Sequence, residues 1–353
     1  MKRILPFVFL FTAALFSACA PASPVTLTVM THDSFAASQS VITSFEQANN
    51  VKLVFLKSGD AGVALNKAIL SKDAPLADVF YGVDNTFLSR ALAAGIYEPY
   101  SSALLAKIPV EFQLDPSDQA LPVDYGDICI NYDKAYFSTN NLPFSTNNLP
   151  VPVTLEDLLK PEYKNLLVVE NPATSSPGLG FLLATIKHFG PDGYLNYWTS
   201  LRANGVVVVD GWETAYYTNF SGSSGHGPQP LVVSYSSSPA AEVIYASSPL
   251  TSAPTASILG PDTCFRQVEF VGILKGTKHL ALAQKFVDFM LDKQFQEDMP
   301  LQMFVYPVNS DASLPSEFIQ YAQTAPQPVT LDPSVIAANR DQWIANWTTA
   351  VLH

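Results

Sequence analysis

Two serines and two glycines crowd the stretch NPATSSPGLG, residues 171–180, which runs straight into apolar residues up to Ile186. Ser175 or Ser176 is a natural N-cap, with Pro177 in the first helical turn. A helix start exposes unpaired N–H groups and the positive end of the dipole. Gly178 and Gly180 let another group come close to the backbone. Together these features suit an anion or a polar part of a ligand. Capping alone accounts for the serines and the proline, and less well for the glycines. GxxxxGK[ST] is absent, so the stretch is not a P-loop, and GLG does not make a dinucleotide fingerprint.

Three further segments place polar or aromatic groups where a strand gives way to a helix. In DGWETAYY (210–217), Trp212 and Tyr216 are four residues apart and share one helical face, lining a cleft or packing in a core. In VSYSSSPAA (233–241), Tyr235 ends a strand, and Ser236 to Ser238 with Pro239 open a helix. In GVDNT (82–86), Asp84 ends a buried strand and either meets a ligand or caps the next helix. Catalytic chemistry is poorly represented. None of His32, His188, His226, His279 and His353 has metal-ligand spacing to a second His or Cys. No GxSxG elbow occurs, and the carboxylates show no glycosidase-like pair.

The elements that must position these residues alternate in type. TLTVMT, VKLVFL and ADVFYG read as strands, with helices expected over Ser34–Gln47, Ala61–Leu70 and Asp84–Ala94, the last ending at Gly95. This βαβαβα order implies a parallel sheet with helices on both faces. A second αβ region starts near Tyr125. Its strands are NLLVVE, VVVVD, LVVSYS and a stretch from Gln267 to Lys275, and its helices span 178–188, 212–220 and 238–246. Helices over 280–291 and 333–351 close the chain. The unit FSTNNLP at 137–143 is repeated at once as 144–150. Two copies are too few for a solenoid, and a lengthened surface loop is the reading adopted.

Hydrophobic residues make up 48% of the 353 and charged residues 14%, a folded rather than disordered composition with room for two lobes. The net charge of −12 argues against nucleic acid as a partner and is compatible with a cationic ligand. Lys2 and Arg3 precede an apolar run from Ile4 to Phe16, too short to span a bilayer and suited to a secretory signal. Phe16-Ser17-Ala18-Cys19 resembles a lipobox with Cys19 as the lipidated residue, although Phe16 stands where Leu is usual; Ala18-Cys19-Ala20 is the alternative, an ordinary small-x-small cleavage site. Loss of the two positive charges at Lys2 and Arg3 takes the net charge from −12 to −14. No other segment is long and apolar enough to cross a membrane. The expected product is exported, periplasmic or at the cell surface. Cys129 and Cys264 are then left either to join or to remain separate buried thiols.

In this order, LTVMTHDSF, ADVFYGVDN, PVDYGDICINYDK, NPATSSPGLGFLL, DGWETAYY, LVVSYSSSPA and FVYPVN resemble the thiamine-binding proteins of bacterial ABC importers. The resemblance covers about Val25 to Leu352. It implies an α/β, two-lobed type-II periplasmic-binding-protein fold. Each lobe is then a mostly parallel sheet flanked by helices, with hinge strands crossing between lobes. The expected division is a signal peptide over 1–18, a linker over 19–24, lobe I over 25–125 and 268–353, and lobe II over 126–267. It implies a monomeric carrier without catalysis or cofactor, holding thiamine or its phosphates in the cleft and meeting an ABC permease. Trp212, Tyr216 and Tyr235 would wall the flat cationic rings. Asp84 would accept from the exocyclic amine. Ser175, Ser176 and the N–H groups near Gly178 would meet the tail or a phosphate. Asp124 and Tyr125 lie near the first hinge strand, to touch ligand or to pack. The family typically has tyrosines where this chain has Met30 and His32, and a tryptophan at Phe304. These departures keep open a pyrimidine or thiazole relative of thiamine. Ferric iron is a further alternative, drawing on Tyr216, Tyr217 and Tyr235. An exported serine hydrolase using Ser176 or Ser238, with His188 or His226 as base, is an alternative of another class.

Overall fold

The computed structural model describes residues 23–137 and 149–353. The expected signal segment, Cys19 and most of the duplicated FSTNNLP unit lie outside the described residues. The strands are β1 (Val25–Thr31), β2 (Val51–Lys57), β3 (Val79–Asp84), β4 (Tyr97–Glu98), β5 (Leu121–Asp133), β6 (Leu167–Glu170), β7 (Val207–Val209), β8 (Leu231–Tyr235), β9 (Thr255–Ile258), β10 (Phe265–Leu274) and β11 (Tyr306–Pro307). The helices are α1 (Gln39–Asn49), α2 (Ala61–Leu70), α3 (Leu88–Ala94), α4 (Ser176–Ala203), α5 (Trp212–Thr214), α6 (Ser238–Ile244), α7 (Leu280–Leu291), α8 (Lys293–Gln302), α9 (Ser316–Tyr321) and α10 (Pro333–Leu352).

One path of strands runs β2-β1-β3-β10-β5-β8-β6-β7. Its two ends are parallel: β1 with β2 and β3, and β6 with β7 and β8. Between them the long strands β10 and β5 pair antiparallel with each other, β10 with β3 and β5 with β8. Parallel ends fit the alternating αβ order of the sequence, because each crossover helix covers a sheet face. The antiparallel centre comes from strands distant in sequence, and local periodicity does not announce it. A disulfide between Cys129 and Cys264 joins β5 to the residue before β10 across a sequence separation of 135, which resolves the alternative left open for the two thiols.

Several element boundaries differ from expectation for local reasons. Helix α1 begins at Gln39 rather than Ser34. Phe35 is buried against Phe55 and Tyr81, with ring centroids 5.0 and 5.4 Å away. The Ser38 N–H and hydroxyl donate to the Asp298 carboxylate at 2.7 and 2.5 Å, which ties 34–38 to α8 instead of to a helical turn. Helix α3 begins at Leu88, because Asp84 Oδ1 accepts from the N–H groups of Thr86 and Phe87 at 2.9 and 3.2 Å and makes a turn there. Gly95, at φ 65°, ends α3 as expected. Helix α4 breaks at Gly190, φ 74°, and Pro191 restarts it. The 212–220 segment is the short α5 followed by a π turn over Ala215–Asn219. Helix α10 touches both ends of the molecule. Arg340 lies 4.9 Å over the Phe87 ring, while the buried Trp347 meets Trp198 of α4 at 5.4 Å. Among the described residues no helix is long and apolar enough to cross a membrane.

Candidate functional site

A cleft of about 740 Å³, including the part open to solvent, lies where the β1–β3 end faces the β6–β8 end. Three strand-to-helix turns reach it from the far half. Ser176 and Pro177 come from the start of α4, Trp212, Tyr216 and Tyr217 from the turn after β7, and Tyr235 and Ser238 from the end of β8. From the near half come His32 and Ser34 after β1, Asp60 and Ala61 at the start of α2, and Glu269 on β10. Met303 and Phe304 close one side. Loops at the carboxyl ends of parallel strands converge in this way because every strand in a parallel set ends on the same side.

The aromatic wall is built on Trp212. Its ring stacks on Tyr216 at 5.1 Å and 18°, meets Tyr217 edge-on at 5.5 Å, and faces Tyr235 at 6.4 Å and 63°. Trp212 and Tyr216 thus share a face as the spacing predicts. The indole Nε1–H donates to Ser234 Oγ at 2.9 Å, and the backbone N–H donates to Asp60 Oδ2 at 3.0 Å, across the cleft. The Tyr216 hydroxyl donates to Glu242 at 2.9 Å and the Tyr235 hydroxyl to Gln267 at 2.9 Å. Two of the three tyrosines considered for iron therefore have their hydroxyls engaged. Phe304 lines the cleft with φ 56° and meets Tyr245 edge-on at 5.2 Å.

The lining carries acids but no fixed cation: Asp60 and Glu269 reach the cleft, and among the described residues no lysine or arginine lines it. Burial pushes the Asp60 carboxyl up, against the N–H groups of Trp212 and Ala61 that hold it down; the side chain itself is only partly covered. His32 is nearly buried, and burial lowers its pKa to about 4, so it is neutral at neutral pH. Glu269 rises well above the carboxylate range through burial and the nearby charges of Asp124 and Asp84.

Four of the expected site residues do not line the cleft. Asp84 is fully buried and outside the cleft lining; its Oδ1 accepts from Thr86 and Phe87 in a turn, and its Oδ2 has no hydrogen-bond partner among the described residues. Gly178 is a packing glycine: a Cβ there would stand 2.4 Å from the Glu170 carbonyl oxygen, so its lack of a side chain lets α4 meet β6. Ser175 occupies the N-cap position of α4 but is buried, and its hydroxyl makes no capping bond. Asp124 is buried beside the cleft and accepts from Tyr81 at 2.6 Å. Met30 likewise belongs to the core. Tyr125 packs between Phe112 and Tyr306 at 4.5 and 5.3 Å. Among the described residues the Ser176 hydroxyl at the cleft has no partner at good hydrogen-bond geometry, but it lies near enough to Asp84 to hold that carboxyl down somewhat. Among the described residues neither hydrolase candidate has a histidine partner. Ser238 bonds Ser234, and His188 is held by Glu156 and Asp262 at 2.8 and 3.0 Å.

Asp60 and Glu269 were missed in the sequence. Both leave a trace there: Asp60 stands in SGDAG before a helix, and Glu269 is the lone acid in the apolar run VEFVGIL. A charge inside an apolar strand is costly unless it has a task.

The protein-family model for bacterial extracellular solute-binding proteins matches residues 74–323. The thiamine-binding periplasmic proteins of Salmonella typhimurium and Escherichia coli are each 32% identical to the chain over 358 residues, covering 99% of it and 99% of each relative. A solved periplasmic thiamin binding protein superimposes with a TM-score of 0.79 at 28% identity, covering 94% of this chain and 98% of that one.

Proposed function

We propose a cargo and a site for this chain from one premise: it belongs to the bacterial extracellular solute-binding proteins. It is a binding protein with the two-lobed type-II periplasmic fold, not an enzyme, and it captures thiamine in the cleft. Nearly full-length likeness to thiamine-binding relatives supports this reading. The observation that carries it is the pairing of a stacked aromatic wall with an acid lining that, among the described residues, has no lysine or arginine. A flat, cationic, two-ring solute gains from both: stacking and cation–π attraction on one side, carboxyl charge on the other. Ferric iron would need free phenol oxygens, and those of Tyr216 and Tyr235 are engaged.

In this reading Trp212 and Tyr235 stack on the rings, with Tyr216 backing Trp212 and Phe304 closing the opposite side. Asp60 accepts from the exocyclic amine, taking the part first expected of Asp84. The Ser176 hydroxyl and the N–H groups at the start of α4 meet the hydroxyethyl tail. With Asp60, Glu269 and the buried Asp84 close by, this end of the cleft is unfavourable for added negative charge, so thiamine binds at least as tightly as its diphosphate. Lobe I comprises 25–125 and 268–353 and lobe II 126–267, hinged on β5 and β10. The protein is exported, acts as a monomer, is tethered through a lipid on Cys19, and hands its cargo to an ABC permease that recognises the closed form.

Calorimetric titration of refolded, ligand-stripped protein with thiamine, its mono- and diphosphate, and the free pyrimidine tests the reading. Thiamine is expected to bind below about 1 μM. Trp212→Ala is expected to weaken it at least about tenfold, through lost stacking and buried area. A folded protein that binds none of these compounds would refute the cargo.

A further inference from the structure

A row of three carboxyls crosses the centre of the sheet beneath the cleft. Glu269 on β10 is the direct cross-strand partner of Asp84 on β3 and of Asp124 on β5. Like charges so placed repel each other. Tyr81 on β3 stands between two of them, its hydroxyl oxygen 2.6 Å from Asp124 Oδ2 and 3.0 Å from Glu269 Oε2. A phenol has one proton to donate. Donating it to Asp124, the shorter contact, leaves the longer contact favourable only if Glu269 is protonated and donates to the phenol oxygen. The chain Glu269–OH, Tyr81–OH, Asp124 carboxylate then satisfies both contacts.

Among the described residues none of the three carboxyls has a lysine or arginine salt bridge. Arg266, on the same strand as Glu269, is committed to Asp127. Arg340 acts on Asp84 only at longer range. The groups facing Glu269 are Asp84 and Tyr81 from β3, Asp124 from β5, Tyr235 from β8 and His32 from the loop after β1, itself influenced by Asp33 and Lys57. His32 Nε2 lies 3.6 Å from Glu269 Oε1 and has no hydrogen-bond partner among the described residues. Glu269 is the member of the row that also lines the cleft.

We propose that Glu269 is the counter-ion of the cargo's cationic ring, and that binding exchanges a proton for that cation. The unbound site holds neutral Glu269. When the cation enters, the carboxyl O–H bond breaks, the proton leaves to solvent, and the carboxylate stays opposite the ring. Charge is conserved: one cation enters and one proton departs. The inference rests on the cargo assigned above. It makes Glu269 a selector for charge, beyond the shape selection of the aromatic wall. Affinity then rises with pH by up to about tenfold per unit while the unbound site is protonated.

Calorimetry of the full chain with thiamine in two buffers of different ionisation enthalpy, from about pH 6 to 8.5, counts the protons released. Wild type is expected to release up to one proton per thiamine, with affinity rising across the range. Glu269→Gln, checked for folding by circular dichroism, is expected to release none, to bind at least about tenfold more weakly at the upper end, and to lose the pH dependence. The free pyrimidine, lacking the thiazolium, is expected to bind without proton release. Thiamine binding with no proton released, or equal release by wild type and Glu269→Gln, overturns the exchange and leaves the cargo standing. No thiamine binding at any pH overturns both.

Discussion

Asp84 and Glu269 show how differently two carboxyls on neighbouring strands can be used. Asp84 is turned back onto its own chain, whereas Glu269 is buried between Asp84 and Asp124, with Tyr81 and a neutral histidine beside it. The difference has a consequence for stability. Glu269 has a folded pKa raised by burial and by the charges of Asp124 and Asp84. Above the ordinary carboxylate range the unfolded chain ionises while the folded one keeps its proton. Stability therefore falls as pH rises, until the folded group also titrates. His32 works in the opposite sense. Its folded pKa, about 4, lies below its unfolded value, so it costs stability only as pH falls below about 6.5. Above that pH the carboxyls dominate. The melting temperature of ligand-free wild type is expected to fall from about pH 6.5 to 8.5, and that of Glu269→Gln to fall less and to lie a few degrees higher. Calorimetric scans across that range check it; a lower melting temperature for Glu269→Gln throughout would contradict a strained acid.

At the scale of elements, the start of α4 carries the most instruction. Its serines, proline and glycines mark a helix N-terminus at the cleft, and the helix begins at Ser176. The roles within it follow from packing. Gly178 faces the backbone of Glu170, which cannot give way, whereas a Cβ on Gly180 would meet Ile128 Cδ1, the far end of a side chain, at 2.5 Å. Gly178→Ala is expected to cost about 1–3 kcal/mol by overpacking, more than Gly180→Ala. Denaturant titration of the two variants gives the order, and equal costs would remove the distinction. The boundaries of α1 and α3 were not legible because distant or turn-forming side chains took over: Asp298 holds Ser38, and Asp84 holds the turn before α3.

At the scale of the molecule, a few bonds bridge the cleft. Asp60 Oδ2 accepts from Trp212 N–H, Gly62 N–H donates to the Thr174 carbonyl at 3.0 Å, and the Tyr245 hydroxyl donates to the Leu301 carbonyl at 3.0 Å. Asp60 also caps α2 through Ala61 N–H. Asp60→Ala is expected to lose about 1 kcal/mol of capping and to shift the ligand-free protein toward an open form. Small-angle scattering checks the shift, as a larger radius of gyration for the variant that contracts on adding thiamine. An unchanged radius would show that the remaining bonds suffice. The disulfide ties the two crossing strands together. Replacing Cys129 and Cys264 by serine is expected to cost on the order of 4 kcal/mol, given the long loop it closes, and to lower the melting temperature by several degrees. A comparison of melting with and without reductant on wild type gives the same test without mutation.

The sequence by itself determined the αβ alternation, the helix starts at Ala61, Leu280 and Pro333, the strand-to-helix turns that reach the cleft, and the aromatic pair Trp212–Tyr216. Each rests on periodicity, capping or helical spacing, which act over a few residues. The tertiary structure decided what depends on partners far along the chain. It paired β10 with β3 and β5, set Glu269 between Asp84 and Asp124, joined Cys129 to Cys264, and brought Asp60 against Trp212 from 152 positions away. It also buried Asp84, Ser175 and Gly178 behind the cleft's lining. A side chain's type limits the bonds it can make, but its exposure is set by which strands cross beside it.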